Sequence, residues 1–312
     1  MIYITGATGH IGNNLAREMS KQAIDFRLLL RQPSNAVESF KDKIIICDIF
    51  DTSVMEKIVR SGDTLIHLAA NIDLQNNQLE ECILVNDFGT RALIDLAVQK
   101  QLYFIYTSSV DIIERDDLVG EIHEPTSIQL TQKSNYAFTK AKATKYLLDI
   151  MKKKEIQATI FYPTAVIGPH DYKPSEAGKE IIKAMKKHVF FNIHGGYNFI
   201  DVRDVSHYII EAYKNRITGS YILGNKPLTI HYLYSQIARF SNIQPHFIYI
   251  PKWLAYLGLL FTKQYTRVML DAVYDNYNYN THHTDAFFQT RPRPIEDTLH
   301  DTLYYFNELK SD

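Results

Sequence analysis

Cysteine is scarce in this chain of 312 residues, which has two, Cys47 and Cys82. Two cysteines cannot build a disulfide framework, and neither lies in a metal-ligand spacing. Both are therefore expected to be buried thiols in a reducing compartment. Long apolar runs are also lacking, because the longest in the C-terminal half, from Trp253 to Phe261, is too short to span a bilayer.

A charge excess of either sign is absent as well. The formal net charge is −1 and the Lys and Arg residues are scattered, which gives no electrostatic reason to expect a nucleic-acid partner. Met1 leads almost directly into the strand-like run Ile2-Tyr3-Ile4, which leaves no room for a signal peptide. We therefore expect a cytoplasmic protein that binds neither nucleic acid nor a membrane.

Short β-rich runs alternate with helical patterns through the first half of the chain. Strands this apolar, separated by helices, predict an α/β fold of the Rossmann type, with a doubly wound parallel sheet covered on both faces. The predicted strands are Met1–Thr5, Phe26–Leu30, Lys43–Cys47, Thr64–Leu68, Tyr103–Thr107, Ala158–Tyr162 and Gly219–Leu223. The predicted helices are Gly12–Gln22, Thr52–Arg60, Asn86–Gln99 and Tyr136–Lys153.

The composition changes from Pro163 onward, where Pro, Gly, Tyr and Phe become more frequent and strand patterns no longer alternate with helix patterns. The chain is also long for a single hydrophobic core. We predict a dinucleotide-binding Rossmann domain over residues 1–165, with 196–224 returning to it. Residues 166–195 and 225–312 are predicted to form mainly a smaller, mixed substrate-binding domain.

A glycine-rich loop follows the first strand and opens the first helix. In a dinucleotide fold, Gly6 would allow the tight turn, Gly9 would let the backbone approach the pyrophosphate, and Gly12 would let helix and strand pack closely. The helix N-terminus would then present free N–H groups to the phosphates. The predicted cofactor-binding residues of this loop are Gly6, Thr8, Gly9, His10, Ile11 and Gly12, and His10 is given no proton chemistry.

The end of the second strand selects between NAD and NADP. Arg31 lies there and no carboxylate does, which favours NADP(H) over NAD(H) because an arginine can pair with a 2′-phosphate. Alternatively, Arg31 stacks on adenine or is a solvated charge. Further cofactor contacts are expected at the ends of the third and fourth strands, from Asp48, Ile49, Ala69 and Ala70. His67, just before the last two, is expected to be a satisfied core histidine.

Two motifs carry the predicted proton chemistry. Tyr136 and Lys140 form the one Tyr-x-x-x-Lys match in the chain, and the i, i+4 spacing puts both on one helix face, where the ammonium can lower the phenol pKa. Thr107-Ser108-Ser109 ends the fifth strand, where a hydroxyl can hydrogen-bond the substrate carbonyl. Ser109 is predicted for that role, and Ser108 is the alternative. A serine or threonine at a strand end can instead have a purely structural role in turn formation or helix capping.

These motifs together resemble the extended short-chain dehydrogenases/reductases of the epimerase/dehydratase superfamily, in particular dihydroflavonol-reductase-like and hydroxysteroid-dehydrogenase-like members. The resemblance covers nearly the whole chain in order. The matching segments are Thr5–Gly12, Leu65–Ala70, Asn86–Thr90, Phe104–Val110, Tyr136–Lys140, Tyr162–Pro169, Phe199–Val205, Gly219–Gly224 and Arg291–Thr298.

The resemblance implies roles for single residues. Tyr136 would be the acid/base, Lys140 would also bind the nicotinamide ribose, and Ser109 would orient the substrate. Asn86 would lie near the cofactor and support a hydrogen-bond relay. Thr107 and Pro163 would border the cofactor, and the helices Asn86–Gln99 and Tyr136–Lys153 would pair with their copies in a homodimer. The chain departs from the sugar-nucleotide branch in having Tyr162 where that branch has an arginine.

Three functions remain open from the sequence. The leading one is an NADP(H)-dependent oxidoreductase that reduces a ketone or aldehyde, or oxidises the alcohol. The alternatives are a nucleotide-sugar epimerase or dehydratase that retains its cofactor, and a catalytically silent NADP-binding regulator. Aromatic residues of the second domain favour a small, apolar or ring-bearing substrate, unless they are simply core; they are Tyr197, Trp253, Tyr256, Tyr274 and Tyr277.

Overall fold

The computed structural model describes residues 1–73, 75–113, 122–125, 128, 130, 134–262, 265–275 and 278–309; Tyr277 lies outside them. The strands in chain order are β1 Ile2–Thr5, β2 Arg27–Leu30, β3 Ile44–Ile46, β4 Thr64–His67, β5 Tyr103–Thr107, β6 Gln157–Pro163, β7 Ala165–Ile167, β8 Val189–Asn192, β9 Gly196–Asp201, β10 Gly219–Leu223, β11 Pro227–Thr229 and β12 His246–Tyr249.

The α-helices are α1 His10–Lys21, α2 Ser53–Ile58, α3 Leu79–Cys82, α4 Thr90–Lys100, α5 Asn135–Lys152, α6 Glu176–Ala184, α7 Val202–Asn215, α8 Ile230–Phe240, α9 Lys252–Gly258, α10 Arg267–Asp275, α11 His282–Phe287 and α12 Ile295–Glu308. A π-helical segment, Ile83–Gly89, joins α3 to α4. Shorter 3₁₀ segments are Asn35–Lys43, Val110–Ile112 and Leu259–Phe261.

Seven strands form one parallel sheet in the order β10-β6-β5-β4-β1-β2-β3. From β1 the sheet extends to one side through β2 and β3, and from β4 it extends to the other side through β5 and β6. A crevice therefore opens at the carboxyl ends of β1 and β4, where ligands of such sheets bind. The predicted Rossmann-type α/β fold is therefore confirmed. All seven predicted strands are present. Their apolar runs are mostly buried, except in the edge strand β3, where Ile46 is exposed.

Helices cover both faces of this sheet. On one face, α1 and α7 bury a cluster that includes Leu15, Met19 and Tyr208. On the other, α2, α4 and α5 bury a cluster that includes Leu93 and Leu147. The helix predicted as Asn86–Gln99 begins earlier, at α3, and passes through the π segment, which apolar periodicity of 3.6 residues cannot reveal.

Two further sheets contain strands from the segments predicted to form the smaller domain, and one of them also contains β9, which lies in the segment 196–224 that was predicted to return to the Rossmann domain. One has the order β11-β9-β7 and is mixed, since β9 pairs antiparallel with β11 and parallel with β7. The other pairs β8 with β12. A third core cluster, which includes Phe190, Ile237 and Phe306, lies among these strands and α6, α8 and α12. Phe288, from the C-terminal segment, packs instead against Phe161 of the large sheet.

The segment after β9 fastens the C-terminal part of the chain to the large sheet. Asp201 caps α7 by accepting from the backbone N–H of Arg203 at 2.7 Å, and its buried carboxylate also binds the Arg203 guanidinium at 2.6 Å. Arg293 donates to the buried Asp204 at 2.8 Å. These buried pairs are satisfied on both sides, so they fix the position of α7 against residues far along the chain. No helix in the described part of the chain is long and apolar enough to cross a membrane.

Candidate active site and cofactor cleft

The glycine loop between β1 and α1 has little room for side chains. Gly6 has a φ of +74°, and a Cβ there would lie 2.5 Å from the backbone nitrogen of Ala69. A Cβ on Gly12 would lie 2.4 Å from the Gly6 carbonyl oxygen. The turn at Gly6 and the close helix packing at Gly12 therefore require glycine, as the sequence predicted.

The N-terminus of α1 is open to an anion. Its first residue is His10, its cap Gly9 makes no side-chain hydrogen bond, and its first turn has no acidic residue. Free N–H groups without a competing carboxylate suit a pyrophosphate, so the residues present fit a dinucleotide. Thr8 is exposed beside this N-terminus, and Ile11 packs against the core of that face.

His10 has a structural partner in this loop. Its Nε2 lies 3.0 Å from the carbonyl oxygen of Pro169, and since a carbonyl only accepts, Nε2 carries the proton. Asn14 donates to the same carbonyl at 3.0 Å. Burial lowers the pKa of His10, so the ring is neutral at neutral pH. Both side chains hold the segment after β7 against the cofactor loop.

The other predicted cofactor residues lie at the carboxyl ends of the strands. Arg31 is exposed immediately after β2. Asp48 accepts from the Phe50 backbone N–H at 3.0 Å and Ile49 is buried beside it. The remaining predicted positions follow β4 or end β5 and β6; they are Ala69, Ala70, Thr107 and Pro163. Parallel strands bring all of these positions to one edge of the sheet.

His67 is the satisfied core histidine that its apolar strand predicted. It is fully buried, with Nδ1 2.7 Å from the Thr5 hydroxyl and Nε2 2.9 Å from the Thr90 hydroxyl. Burial lowers its pKa to about 3, so it remains neutral. Cys47 and Cys82 are likewise buried and free, as expected.

Tyr136 lies in the first turn of α5, whose start is fixed by Ser134. The Ser134 hydroxyl caps the helix by accepting from the Ala137 N–H at 3.0 Å. Burial is the main cause that raises the pKa of Tyr136, and the Asp111 carboxylate raises it further, whereas a hydrogen bond with Ser109 lowers it. The phenol is therefore protonated at neutral pH, which suits a proton donor.

Lys140 is buried one helical turn later and points at the end of β5. Its Nζ donates to the Thr107 carbonyl oxygen at 2.6 Å and lies 4.3 Å from the centre of the Tyr106 ring. Burial lowers its pKa to about 7. The sequence predicted that Lys140, together with the positive charge of an oxidised nicotinamide, would lower the pKa of Tyr136. In the structure burial raises that pKa, and Lys140 is not among the groups that shift it.

The two candidate serines diverge. Ser109 is buried, its Oγ donates to Oδ2 of Asp111 at 3.0 Å, and its side chain is close enough to the Tyr136 phenol to lower the pKa of that group. Ser108 Oγ lies 2.8 Å from the Thr144 hydroxyl, inside the contact between β5 and α5. The structure therefore brings Ser109 to Tyr136 and turns Ser108 away. Ser109 also caps the following 3₁₀ segment, so the structural role that was considered for a serine at this strand end belongs to the same residue.

Asn86 lies in the π segment, and its amide is occupied by protein groups. Its Oδ1 accepts from the Asn71 N–H at 2.8 Å, while Nδ2 donates to the Asn71 carbonyl at 2.9 Å and to Thr139 Oγ1 at 3.2 Å. Asn86 thus ties the segment after β4 to the helix that carries Tyr136 and Lys140. This is a positioning contact, and the relay implied by the family resemblance stays a prediction.

Asp111, near the phenol, was not singled out from the sequence, and Tyr197 was named there only as one of the aromatic residues that could favour a ring-bearing substrate. Asp111 is exposed two residues after Ser109, and Tyr197 of β9 has its pKa raised by burial, by Tyr234 and by the same Asp111 carboxylate. The Asp111 carboxylate therefore raises the pKa of one phenol on α5 and of another on β9. A carboxylate two residues past a Ser-Ser strand end was the available signal, but only the 3₁₀ turn at Val110–Ile112 brings it to Ser109.

Comparison with known proteins places this geometry in a family. The model of the NAD dependent epimerase/dehydratase family matches residues 2–224, and the chain belongs to that family. It is similar to sterol demethylase protein B of Methylococcus capsulatus, with 25% identity over 231 residues (73% of this chain, 70% of the relative). It is also similar to a putative dihydroflavonol 4-reductase of Synechocystis, with 25% identity over 264 residues (81% and 76%).

Solved structures share the fold. A UDP-glucose 4-epimerase from Thermotoga maritima aligns with a TM-score of 0.78 at 16% identity and covers 99% of both chains. The Bordetella bronchiseptica enzyme WbmH, solved with NAD⁺, aligns with a TM-score of 0.77 at 16% identity and covers 98% of both. The predicted family is thus confirmed, and the chain is an NAD(P)-dependent enzyme of the extended short-chain dehydrogenase/reductase type.

Proposed function

We propose that this chain is an NADPH-dependent carbonyl reductase, or the corresponding alcohol dehydrogenase, and that Tyr136 transfers the proton. The observation that carries the proposal is the position of Tyr136 beside Ser109, at the carboxyl end of β5, in a cleft whose glycine loop fits a dinucleotide. Carbonyl reduction needs one proton donor and one hydrogen-bond donor at the same oxygen. Tyr136 and Ser109 supply both.

The residues divide the reaction between them. When bound, the reduced nicotinamide would supply a hydride to the carbonyl carbon. Ser109 would turn its hydroxyl proton from Asp111 to the substrate oxygen, and Tyr136 would deliver its proton to that oxygen as charge develops there. Lys140, held by the Thr107 carbonyl, would donate to the ribose of the cofactor and afterwards help return a proton to the phenol.

The charges near the phenols favour an uncharged substrate over a nucleotide sugar. The Asp111 carboxylate acts on both Tyr136 and Tyr197, and the Glu180 carboxylate acts on Tyr197 as well. A nucleoside diphosphate carries negative charge and is normally held by arginine or lysine, so carboxylates at these places would repel it. The ring of Tyr197 itself packs against Phe199, with the ring centroids 5.8 Å apart.

The names of several relatives agree with such a substrate. Besides the sterol demethylase protein and the dihydroflavonol reductase, they include a 3-beta-hydroxysteroid dehydrogenase from Mycolicibacterium neoaurum and a ceramide reductase from Caulobacter vibrioides. These names refer to ring-bearing or lipid molecules. We infer an uncharged, ring-bearing or lipid ketone as the substrate class. A UDP-glucose 4-epimerase of Vibrio cholerae is also similar, which keeps epimerisation as the second candidate.

Cofactor turnover separates the candidates. The purified protein is incubated with excess NADPH and a panel of uncharged ketones, including a 3-ketosteroid, and loss of the reduced nicotinamide absorbance is followed; UDP-glucose is tested in parallel for conversion to UDP-galactose. The proposal expects multiple turnovers of NADPH with a ketone that Tyr136→Phe removes. Epimerised UDP-sugar without net consumption of cofactor would replace it with the epimerase reading, and cofactor binding without either reaction would support a silent regulator.

A further inference from the structure

Helix α9 and the 3₁₀ segment Leu259–Phe261 that follows it contain no buried residue. Eight of the ten residues from Lys252 to Phe261 are apolar or aromatic. Trp253 is 67% exposed, Leu260 77% and Phe261 85%, and Leu254 and Leu257 are exposed as well. We name this set of five side chains the α9 surface. Five large apolar side chains within nine residues are more than isolated surface residues, so they indicate an interaction site.

The opposite side of α9 holds the helix in place. Lys252 Nζ lies 4.9 Å from the centre of the Tyr274 ring, and the Tyr256 hydroxyl donates to the Asp271 carboxylate. Positions 252 and 256 are one helical turn apart and face α10, so the α9 surface is turned away from the protein by a fixed contact. Strand β12, which precedes α9 in the chain, also has an exposed apolar residue, Ile248, which pairs with the exposed Phe191 of β8.

The stretch of sequence that contains this surface has charges of one sign. No Asp or Glu occurs between Glu211 and Asp271, although the chain as a whole has a net charge of −1. The Lys and Arg residues in that stretch are Lys214, Arg216, Lys226, Arg239, Lys252, Lys263 and Arg267. Asp271, which ends this stretch, accepts from Tyr256 on the side of α9 that faces α10. Trp, Phe and Leu on the exposed side of a short helix, in a stretch of sequence with basic and no acidic residues, are the pattern of helices that lie in the interface of an anionic bilayer.

We propose that the α9 surface binds the headgroup region of an anionic lipid bilayer. Such binding needs no membrane-spanning length, so the short apolar run that excluded a transmembrane helix does not exclude it. Helix α10 links this surface to the cleft, because the Met269 carbonyl accepts from the Tyr197 hydroxyl at 3.4 Å. The lipid ketone of the proposed function would then enter from the bilayer; this last step rests on the proposed function, whereas bilayer binding does not.

Trp253 is the single tryptophan of the chain, so intrinsic fluorescence reports on this surface alone. Vesicles of phosphatidylcholine with and without phosphatidylglycerol are titrated into the full-length protein, and sedimentation with the vesicles is measured in parallel. We expect a blue shift of Trp253 emission with the anionic vesicles, quenching by brominated lipid, and weaker binding as salt rises.

Variants test the surface directly. The double variant Leu260→Asp, Phe261→Asp should weaken vesicle binding by about tenfold or more and keep its cofactor binding. Tyr304→Asp, which changes an exposed aromatic residue on α12, should bind vesicles like the wild type.

No emission shift with anionic vesicles at low salt would overturn the proposal. A blue shift that grows with protein concentration without vesicles would also overturn it, because a second copy would then cover the surface. If the wild-type protein binds anionic vesicles but reduces none of the ketones tested, the proposed function is rejected and the bilayer site is still supported.

Discussion

Lys140 Nζ donates a 2.6 Å hydrogen bond to the Thr107 carbonyl oxygen, which joins helix α5, the helix of Tyr136, to the end of strand β5 in the large sheet. The ammonium is buried between the Tyr106 ring and the end of β5, and its pKa is shifted by burial and by no carboxylate. A buried charge without a counter-ion is costly in the folded state. Burial of Lys140 at this position, which the proposed proton chemistry requires, therefore reduces the stability of the folded state.

This cost gives a pH dependence with a definite sign. Burial lowers the pKa of Lys140 from 10.5 to about 7, so between these values the unfolded chain holds a proton that the folded chain has lost. Stability therefore rises with pH through this window and is reduced below it. Between about pH 7 and about pH 9 the wild type should gain about 2 kcal/mol relative to Lys140→Met in the free energy of unfolding.

Urea denaturation of both proteins at the two pH values measures this difference. Lys145→Met is the matched control, since Lys145 is an exposed lysine on the same helix, and it should keep the slope of the wild type. Parallel pH dependences for the wild type and Lys140→Met would show that the buried lysine keeps its ordinary pKa.

The site could be predicted from the sequence where its geometry is local. Gly6 and Gly12 follow from the strand–loop–helix order, and Tyr136 with Lys140 follows from one helical turn, so both features require only spacing along the chain. Ser109 could be chosen only as one of two serines. Which of them faces Tyr136 depends on the β5–α5 contact, where Thr144 takes the hydroxyl of Ser108.

The features that the sequence did not reveal depend on distant parts of the chain. Asp111 reaches Tyr136 through the 3₁₀ turn that Ser109 caps, and Tyr197 reaches the same place from β9. The π segment around Asn86 follows from tertiary hydrogen bonds to Asn71 and Thr139, which no periodicity encodes. Buried apolar strands are therefore readable from sequence, whereas polar contacts between separate elements are not.

Tyr136→Phe tests the proton donor. The ring is buried and would keep its packing, so fold and cofactor affinity should stay close to those of the wild type. Activity on a ketone that the wild type reduces should fall by roughly 10²-fold or more, the range for loss of a general acid. Cofactor affinity is measured by titration calorimetry beside the rate. Unchanged turnover would overturn the mechanism and leave the dinucleotide-binding fold intact.

Asp111 and Ser109 act on the phenol in opposite directions. The carboxylate raises the pKa of Tyr136 and the serine hydrogen bond lowers it, so removing each should move that pKa in opposite senses. In the pH profile of kcat/KM for alcohol oxidation, which needs the phenolate, Asp111→Asn should shift the rise to lower pH by up to about one unit. Ser109→Ala should shift it to higher pH and lower the rate. Shifts of the same sign would contradict this arrangement.

A homodimer is expected through the helices at Asn86–Gln99 and Tyr136–Lys153. Two exposed apolar side chains, Leu84 and Phe88, lie one turn apart beside this face and would be covered in a dimer. Phe88→Asp should convert dimer to monomer in sedimentation velocity at micromolar concentration, whereas Tyr304→Asp should not. A wild-type protein that sediments only as a monomer would remove the prediction.

Arg31 tests the choice of cofactor. It is exposed immediately after β2, with Gln32 and Pro33 following it, so a guanidinium but no carboxylate is available to the adenosine ribose at this strand end. An arginine can form charge-assisted hydrogen bonds with a 2′-phosphate, which NADPH has and NADH lacks. The wild type should therefore bind NADPH more tightly. Arg31→Asp should reduce or invert the preference, because it removes that contact and adds repulsion of the phosphate.

Arg27→Asp, which changes a residue at the opposite end of the strand, is the control and should keep the preference. Equal affinity of the wild type for both cofactors, measured by calorimetry, would show that Arg31 is a solvated charge or stacks on adenine.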